Sequence, residues 1–208
     1  MSRARLRSPL LAGLMASLLA IGLWQSGKGA WIYAKAGLAQ FLLQRAWTRA
    51  LAGEAMSKPW PWADTWPVAR LQVPRLSVDT IVLAGAYGRT LAFGPGHLSS
   101  SFLPGQPGTV LLTGHRDPHF RFLQHVRMNE PISLTGVDGT ILQYRVTGHR
   151  IMDARTDTIA TSRAGRDLLL VTCFPFDALR PGGPLRYVVH AELLETPPPE
   201  EAASKPGT

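Results

Sequence analysis

Cysteine is nearly absent from this chain: Cys173 is the only one in 208 residues. That excludes an internal disulfide framework and a zinc site built from four cysteines. Charge is also scarce, at 17% of residues against 45% hydrophobic ones, which excludes the low-hydrophobicity, high-charge class of disordered chains. Acidic residues are outnumbered 14 to 22, for a net charge of +8. Residues 1–56 carry seven Lys/Arg and one acid, whereas residues 57–195 carry fourteen and eleven. The basicity therefore belongs to the N-terminus. No basic stretch there is joined to a zinc pattern, an RNP motif or a heptad repeat, so nucleic acid is not an expected partner. No tryptophan follows Trp66, and no internal repeat exceeds a tetrapeptide. The length suits one domain plus appendages, with about 140 residues available for a core.

What is present begins with an uncharged run. Arg3, Arg5 and Arg7 precede Ser8–Gly27, which contains no charged residue. A helix of about 20 apolar residues spans the hydrocarbon core of a bilayer. Arginines ahead of the run favour an N-in orientation, with the rest of the chain outside the cytoplasm. Residues 1–27 are thus expected to be an uncleaved membrane anchor, preferred over a cleaved signal peptide because no clear Ala-x-Ala site follows the run. Residues 30–51 suggest a second helix, with Leu38, Phe41, Leu42, Ala46 and Leu51 interrupted by Lys35, Gln40, Gln44, Arg45 and Arg49. Such a helix lies on a membrane surface or on its own domain. All six tryptophans fall in the first 66 residues, consistent with a membrane-proximal collar. Lys58-Pro-Trp-Pro-Trp breaks any helix. It marks the boundary between a helix and linker over 28–58 and a compact domain over 59–196.

Twelve prolines punctuate the compact domain. Between them lie strand-like runs at Val68–Val73, Val78–Leu83, Thr90–Phe93, Thr109–Thr113, Ile132–Thr135, Thr140–Arg150, Asp167–Cys173 and Leu185–Leu194. A helical turn is expected near Phe120–Val126. Short strands with Gly/Pro turns predict an all-β barrel or sandwich. The tail, residues 197–208, is polar and proline-rich and is expected to be disordered.

The candidate chemistry rests on one thiol and one imidazole. A lone Cys in an apolar run is commonly a small buried hydrophobe. Cys173, however, ends its run before Phe-Pro-Phe, where the chain must turn and can present the side chain. A thiolate is a strong nucleophile for acyl transfer. Among six histidines, Thr-Gly-His-Arg occurs twice, at 113–116 and 147–150. The first copy follows an apolar strand and precedes Asp117-Pro118, which places His115 at a strand-to-loop exit. The second copy continues into Ile151 and Met152, so His115 is favoured over His149. His115, His119 and His125, with or without Asp117, do not match a helical zinc motif, and no metal or other cofactor is expected. Arg186 shares a strand face with Val188, His190 and Glu192. It is either a solvated outer-face residue or a fixed positive charge beside Cys173 that stabilises an oxyanion.

Taken together, these residues resemble the sortases, membrane-anchored cysteine transpeptidases. That family places a His after a buried strand, a Thr-Leu-x-Thr-Cys motif at the end of another, and an Arg early in the next. His115, Leu170-Val-Thr-Cys173 and Arg186 match, with Leu169 where the family usually has Thr. The resemblance runs from about Pro67 to Glu195. The segments from Arg89 to His97 and from Gly114 to Leu123, with the Trp-Pro-Trp-Ala-Asp-Thr-Trp-Pro entry, look most like the Gram-negative, marine proteobacterial branch (class GN, class D-like). The resemblance implies an eight-stranded β-barrel with short helices. It implies attack by Cys173 on the Thr carbonyl of an LPxTG-like C-terminal sorting signal, with oxyanion stabilisation by Arg186. His115 would protonate the leaving amine and then deprotonate an incoming one. Thr172 and Leu170 would support the substrate or the active-site strand. The implied partners are a protein bearing that signal, an amine acceptor from peptidoglycan or protein, and the inner membrane, with the catalytic domain in the periplasm. Two other readings remain open on the residues alone: a membrane-anchored cysteine peptidase that uses water, and a β-barrel binding module without catalysis.

Overall fold

The computed structural model describes residues 3–178 and 182–194, with side chains inside the N-terminal helix described from Leu11 onward. The expected disordered tail lies outside the described residues. The chain forms two compact units, one ending at Leu42 and one beginning at Leu43.

Helix α1 runs unbroken from Arg3 to Leu51, where two helices were expected. The segment from Gln25 to Ala30 contains two glycines but no proline. Each glycine weakens a helix by about 1 kcal/mol without ending it. The helix stops before Gly53, which sits at φ +93°, a conformation open to glycine. From Leu11 to Ile32 its large apolar side chains are exposed on all sides. Among the described residues no helix is long and apolar enough to cross a membrane. The expected span begins at Ser8, so residues 8–10 of it lie outside the described side chains.

The compact unit starts earlier than the boundary expected at Lys58. Leu43, Ala46, Trp47 and Ala50 are buried, the i, i+3, i+4, i+7 stripe of a packed helix face. Leu43 and Trp47 join Ile81 and Leu83 in one cluster. The six tryptophans divide accordingly. Trp24, Trp31 and Trp62 are exposed, while Trp47 is buried, Trp60 meets Phe93 edge to face and Trp66 packs on the main core. The collar expected from composition is thus half surface and half core.

Eight strands follow: β1 (Pro67–Val73), β2 (Val78–Ala84), β3 (Gly96–His97), β4 (Val110–Thr113), β5 (Pro131–Gly136), β6 (Ile141–Asp153), β7 (Asp167–Cys173) and β8 (Leu185–Leu193). They close into a barrel in the order β1-β2-β3-β4-β7-β8-β6-β5. Two pairs are parallel, β2 with β3 and β4 with β7. Thr90–Phe93, expected as a strand, instead overlaps the one-turn helix α2 (Gly88–Leu91). Four residues are too few to show a period, and the Leu91 amide closes a helical turn onto the Tyr87 carbonyl. The short strand β3, not expected, takes its place in the barrel. A Cβ on Gly96 would lie 2.1 Å from the Gly85 carbonyl oxygen, so this close approach requires glycine.

Strand β7 is apolar on both faces because both are covered. Leu168 and Leu170 point into the barrel core with Leu112, Leu134 and Val189. Leu169 and Val171 belong to an outer cluster with Leu111, Met152 and Val188, covered by Leu98 and Ile159. The barrel wall is pinned at one corner by Arg75 and Glu130. Glu130 is only 4% exposed. Arg75 Nε donates to both of its carboxylate oxygens at 2.9 and 2.8 Å, and Nη2 donates to the His125 carbonyl. The guanidinium holds the carboxyl below its ordinary value of 4.5. A depressed carboxylate contributes stability above its ordinary pKa and loses it as the pH falls. Arg75→Gln should therefore unfold at a lower temperature than the parent at neutral pH. The gap should close as the pH is lowered past about 4.5, read by thermal unfolding across the acid range.

Candidate active site

The ends of β4 and β7 lie side by side. Their parallel register matches Thr113 with Val171, and the Gly114 amide extends the ladder by donating to the Val171 carbonyl at 3.1 Å. Thr172, 2% exposed, donates its hydroxyl to the Gly114 carbonyl at 2.8 Å. One residue beyond each of these partners stand His115 and Cys173. The chain after His115 turns back at once. The Phe120 amide donates to the His115 carbonyl, and the Phe120 ring is fully buried in the core.

Arg186 comes from the other side. In the antiparallel pairing of β7 with β8, Cys173 is opposite Arg186, and opposite residues project from the same face of a sheet. Arg186 Nη1 donates to the carbonyls of Gly183 and Leu185 at 2.7 and 2.9 Å. Asp153 carries a carboxylate pushed down to about 2, first by its hydrogen bonds to Arg155 and to a smaller degree by the charge of Arg186.

A cavity of about 240 Å³ opens at this point, lined by His115, Arg116, Asp117, Cys173, Pro175 and Gly183 among others. The thiol is partly accessible and the imidazole exposed. His149 is elsewhere. It stacks on Tyr187 with ring centroids 5.2 Å apart and lines a separate cavity with Arg150, Asp167 and His190. The structure thus brings His115 to Cys173 and leaves the second Thr-Gly-His-Arg copy apart. Thr172 and Leu170 are both buried, Leu170 in the barrel core and Thr172 on the Gly114 carbonyl, so in this structure both brace the strand. His119 is half-buried, which lowers its pKa, and it contacts the Ala92 backbone. Among the described residues no three His, Cys, Asp or Glu side chains converge as metal ligands would.

Residues 71–194 match the family model described as the sortase domain. The chain belongs to the sortase family. It is 27% identical over 125 residues to sortase D of Bacillus subtilis (strain 168), covering 60% of this chain. The match spans 62% of that relative's length. Solved sortases share the barrel. Sortase A from Corynebacterium diphtheriae superposes with a TM-score of 0.57 at 25% identity, covering 67% of this chain and 66% of that one. Sortase C-1 from Actinomyces oris does so with a TM-score of 0.55 at 26% identity, covering 62% and 74%. The sortase D5 transpeptidase of Clostridium perfringens, at 23% identity and a TM-score of 0.55 over 62% and 79% of the chains, shares the fold.

Sequence reading of this sortase missed one group at the cavity. Arg116 and Asp117 line it, and Asp117 also pairs with Arg121 at 2.8 Å. Its carboxyl is held below the usual range by hydrogen bonds first from Arg116 and then from Arg121. Arg116 and Arg150 hold the same place in the repeated tetrapeptide, and the Arg116 partners Pro175 and Ala178 lie about 60 positions away. Thr172→Val keeps the side-chain shape but leaves the Gly114 carbonyl without its partner. Urea unfolding should show a loss of about 1–3 kcal/mol, largely restored by Thr172→Ser.

Proposed function

We propose that this chain is a membrane-anchored cysteine transpeptidase that acts on a protein carrying an LPxTG-like C-terminal sorting signal. The observation that carries the reading is the convergence of Cys173 and His115 on one cavity, with Arg186 opposite Cys173 on the neighbouring strand. The Cys173 sulfur, as thiolate, attacks the Thr carbonyl carbon and forms a C–S bond. Arg186 stabilises the resulting oxyanion, where a fixed cation near developing charge is most effective. The C–N bond breaks as His115 passes a proton to the leaving amine. An incoming amine then attacks the thioester, gives its proton to His115 and releases the thiolate. No cofactor enters this scheme.

The apolar run from Ser8 to Gly27, preceded by three arginines, supports an N-in, single-pass anchor in the inner membrane with the barrel on the periplasmic side. Tethering enzyme and substrate to one membrane raises their effective concentration. The Arg89–His97 and Gly114–Leu123 segments support placing the chain in the Gram-negative, class GN branch. The acceptor amine is then a peptidoglycan peptide or another protein.

The test uses the full chain in detergent micelles with a panel of LPxTG-like peptides, with and without hydroxylamine, followed by intact mass. An acyl adduct on Cys173 that hydroxylamine converts to a hydroxamate is the expected result, absent in Cys173→Ala. Product insensitive to hydroxylamine would instead make it a peptidase. A thiol inert to both peptide and alkylating agent would make the barrel a binding module. In the same assay His115→Ala should lose roughly 100- to 10,000-fold in rate, while His149→Ala stays near the parent. Arg186→Lys keeps the charge but not the planar fork, and should lose roughly 100-fold.

A further inference from the structure

We propose that Arg116 is a positioning residue that locks the loop after Cys173 to the loop bearing His115, an inference that rests on the transpeptidase reading above. The β4–β7 ladder ends with Gly114 and Thr172. Beyond it the two segments, 115–120 and 174–178, share no backbone hydrogen bond among the described residues. Each contains a proline, Pro118 and Pro175, and so lacks one backbone donor. Arg116 supplies the missing connection. Its Nη1 donates to the Pro175 carbonyl at 2.6 Å and its Nη2 to the Ala178 carbonyl at 2.9 Å. Its Nε donates to Asp117 Oδ2 at 2.6 Å, which orients the fork and offsets its charge. The side chain is only 16% exposed.

The chemistry needs this connection because the two reacting groups sit on different loops. His115 immediately precedes Arg116, and Cys173 stands two residues before Pro175. Both Pro175 and Ala178 line the cavity that holds the thiol and the imidazole. The two arginines of the site thereby divide the work. Arg116 is engaged on all three guanidinium nitrogens with loop carbonyls and Asp117. Arg186 uses only Nη1 on backbone carbonyls and has donors left for an oxyanion. A lysine at 116 would offer a point charge where two carbonyls and a carboxylate need a planar fork.

The test compares the full-length parent with Arg116→Ala and Arg116→Lys in detergent, using the peptide that the parent converts in the hydroxylamine assay. Misplacing a catalytic group by about 1 Å costs on the order of 100-fold in rate. We expect kcat to fall roughly 10- to 100-fold, with KM within about twofold of the parent. Amide hydrogen exchange over 174–178 should accelerate, and lysine should restore neither. A folded Arg116→Ala protein with parental kcat and parental exchange would overturn the proposal. So would a rise in KM at unchanged kcat, which would make Arg116 a substrate contact. If the alanine variant fails to fold, the lysine variant decides by the same two readouts. If the parent converts no peptide, the transpeptidase reading fails on its own, and exchange alone decides the clamp: unchanged protection over 174–178 overturns it, and accelerated exchange sustains it.

Discussion

The parallel ladder between β4 and β7 sets where every other part of the site can be. Parallel strands run in the same direction, so both end at the same edge of the sheet. Register then fixes which two residues leave that edge together. Here the matched pair is Thr113 and Val171, and the Thr172 hydroxyl on the Gly114 carbonyl holds the first residue past the ladder. His115 and Cys173 come from positions 58 residues apart in the sequence, yet they emerge as neighbours. A register slip of one residue would turn Cys173 into the barrel and Thr172 out of it.

That ladder is secured by burial on both sides. Each fully buried leucine contributes about 1.5–3 kcal/mol relative to exposure. Leu168 and Leu170 draw β7 inward, while Leu169 and Val171 are sealed from outside by Leu98 and Ile159. A strand held from both faces has little freedom to shift or twist. The candidate site residues then occupy its rim, where burial ends and the backbone turns. Arg186 follows from the same logic, because the antiparallel partner of β7 must begin where β7 stops. The clamp proposed for Arg116 works past the end of the ladder, where backbone pairing can no longer hold the two loops together.

The N-terminal helix obeys a different constraint. Its large apolar side chains from Leu11 to Ile32 are exposed. Exposed apolar patches mark membrane or protein contact surfaces, and this is the physical ground for the proposed anchor. Only its last turns, from Leu43 on, carry a buried stripe against the barrel unit. Lys28 over Trp24 and Lys35 over Trp31 each form a cation–π pair across about one turn, where the apolar run gives way to a mixed surface.

Much of this could be read directly from the chain. Prolines and short apolar runs located seven of the eight strands, and the run from Asp167 to Cys173 coincides with β7 because a strand buried on both faces reads as unbroken hydrophobicity. The strand-end positions of Cys173 and His115 were legible in their local settings, whereas Arg186 could be placed beside Cys173 only through the β7–β8 register. Three other features were not legible. The strand β3 has two residues, too short for any period. The continuity of α1 depended on two glycines that weaken a helix but do not end it. The bonds from Arg116 to Pro175 and Ala178 cross about 60 positions of sequence. Residue types and their spacing thus determined which groups could react and which runs would be strands. Strand order and register decided which groups meet, because proximity at that range comes from barrel closure and parallel pairing, which leave no mark on the residues nearby.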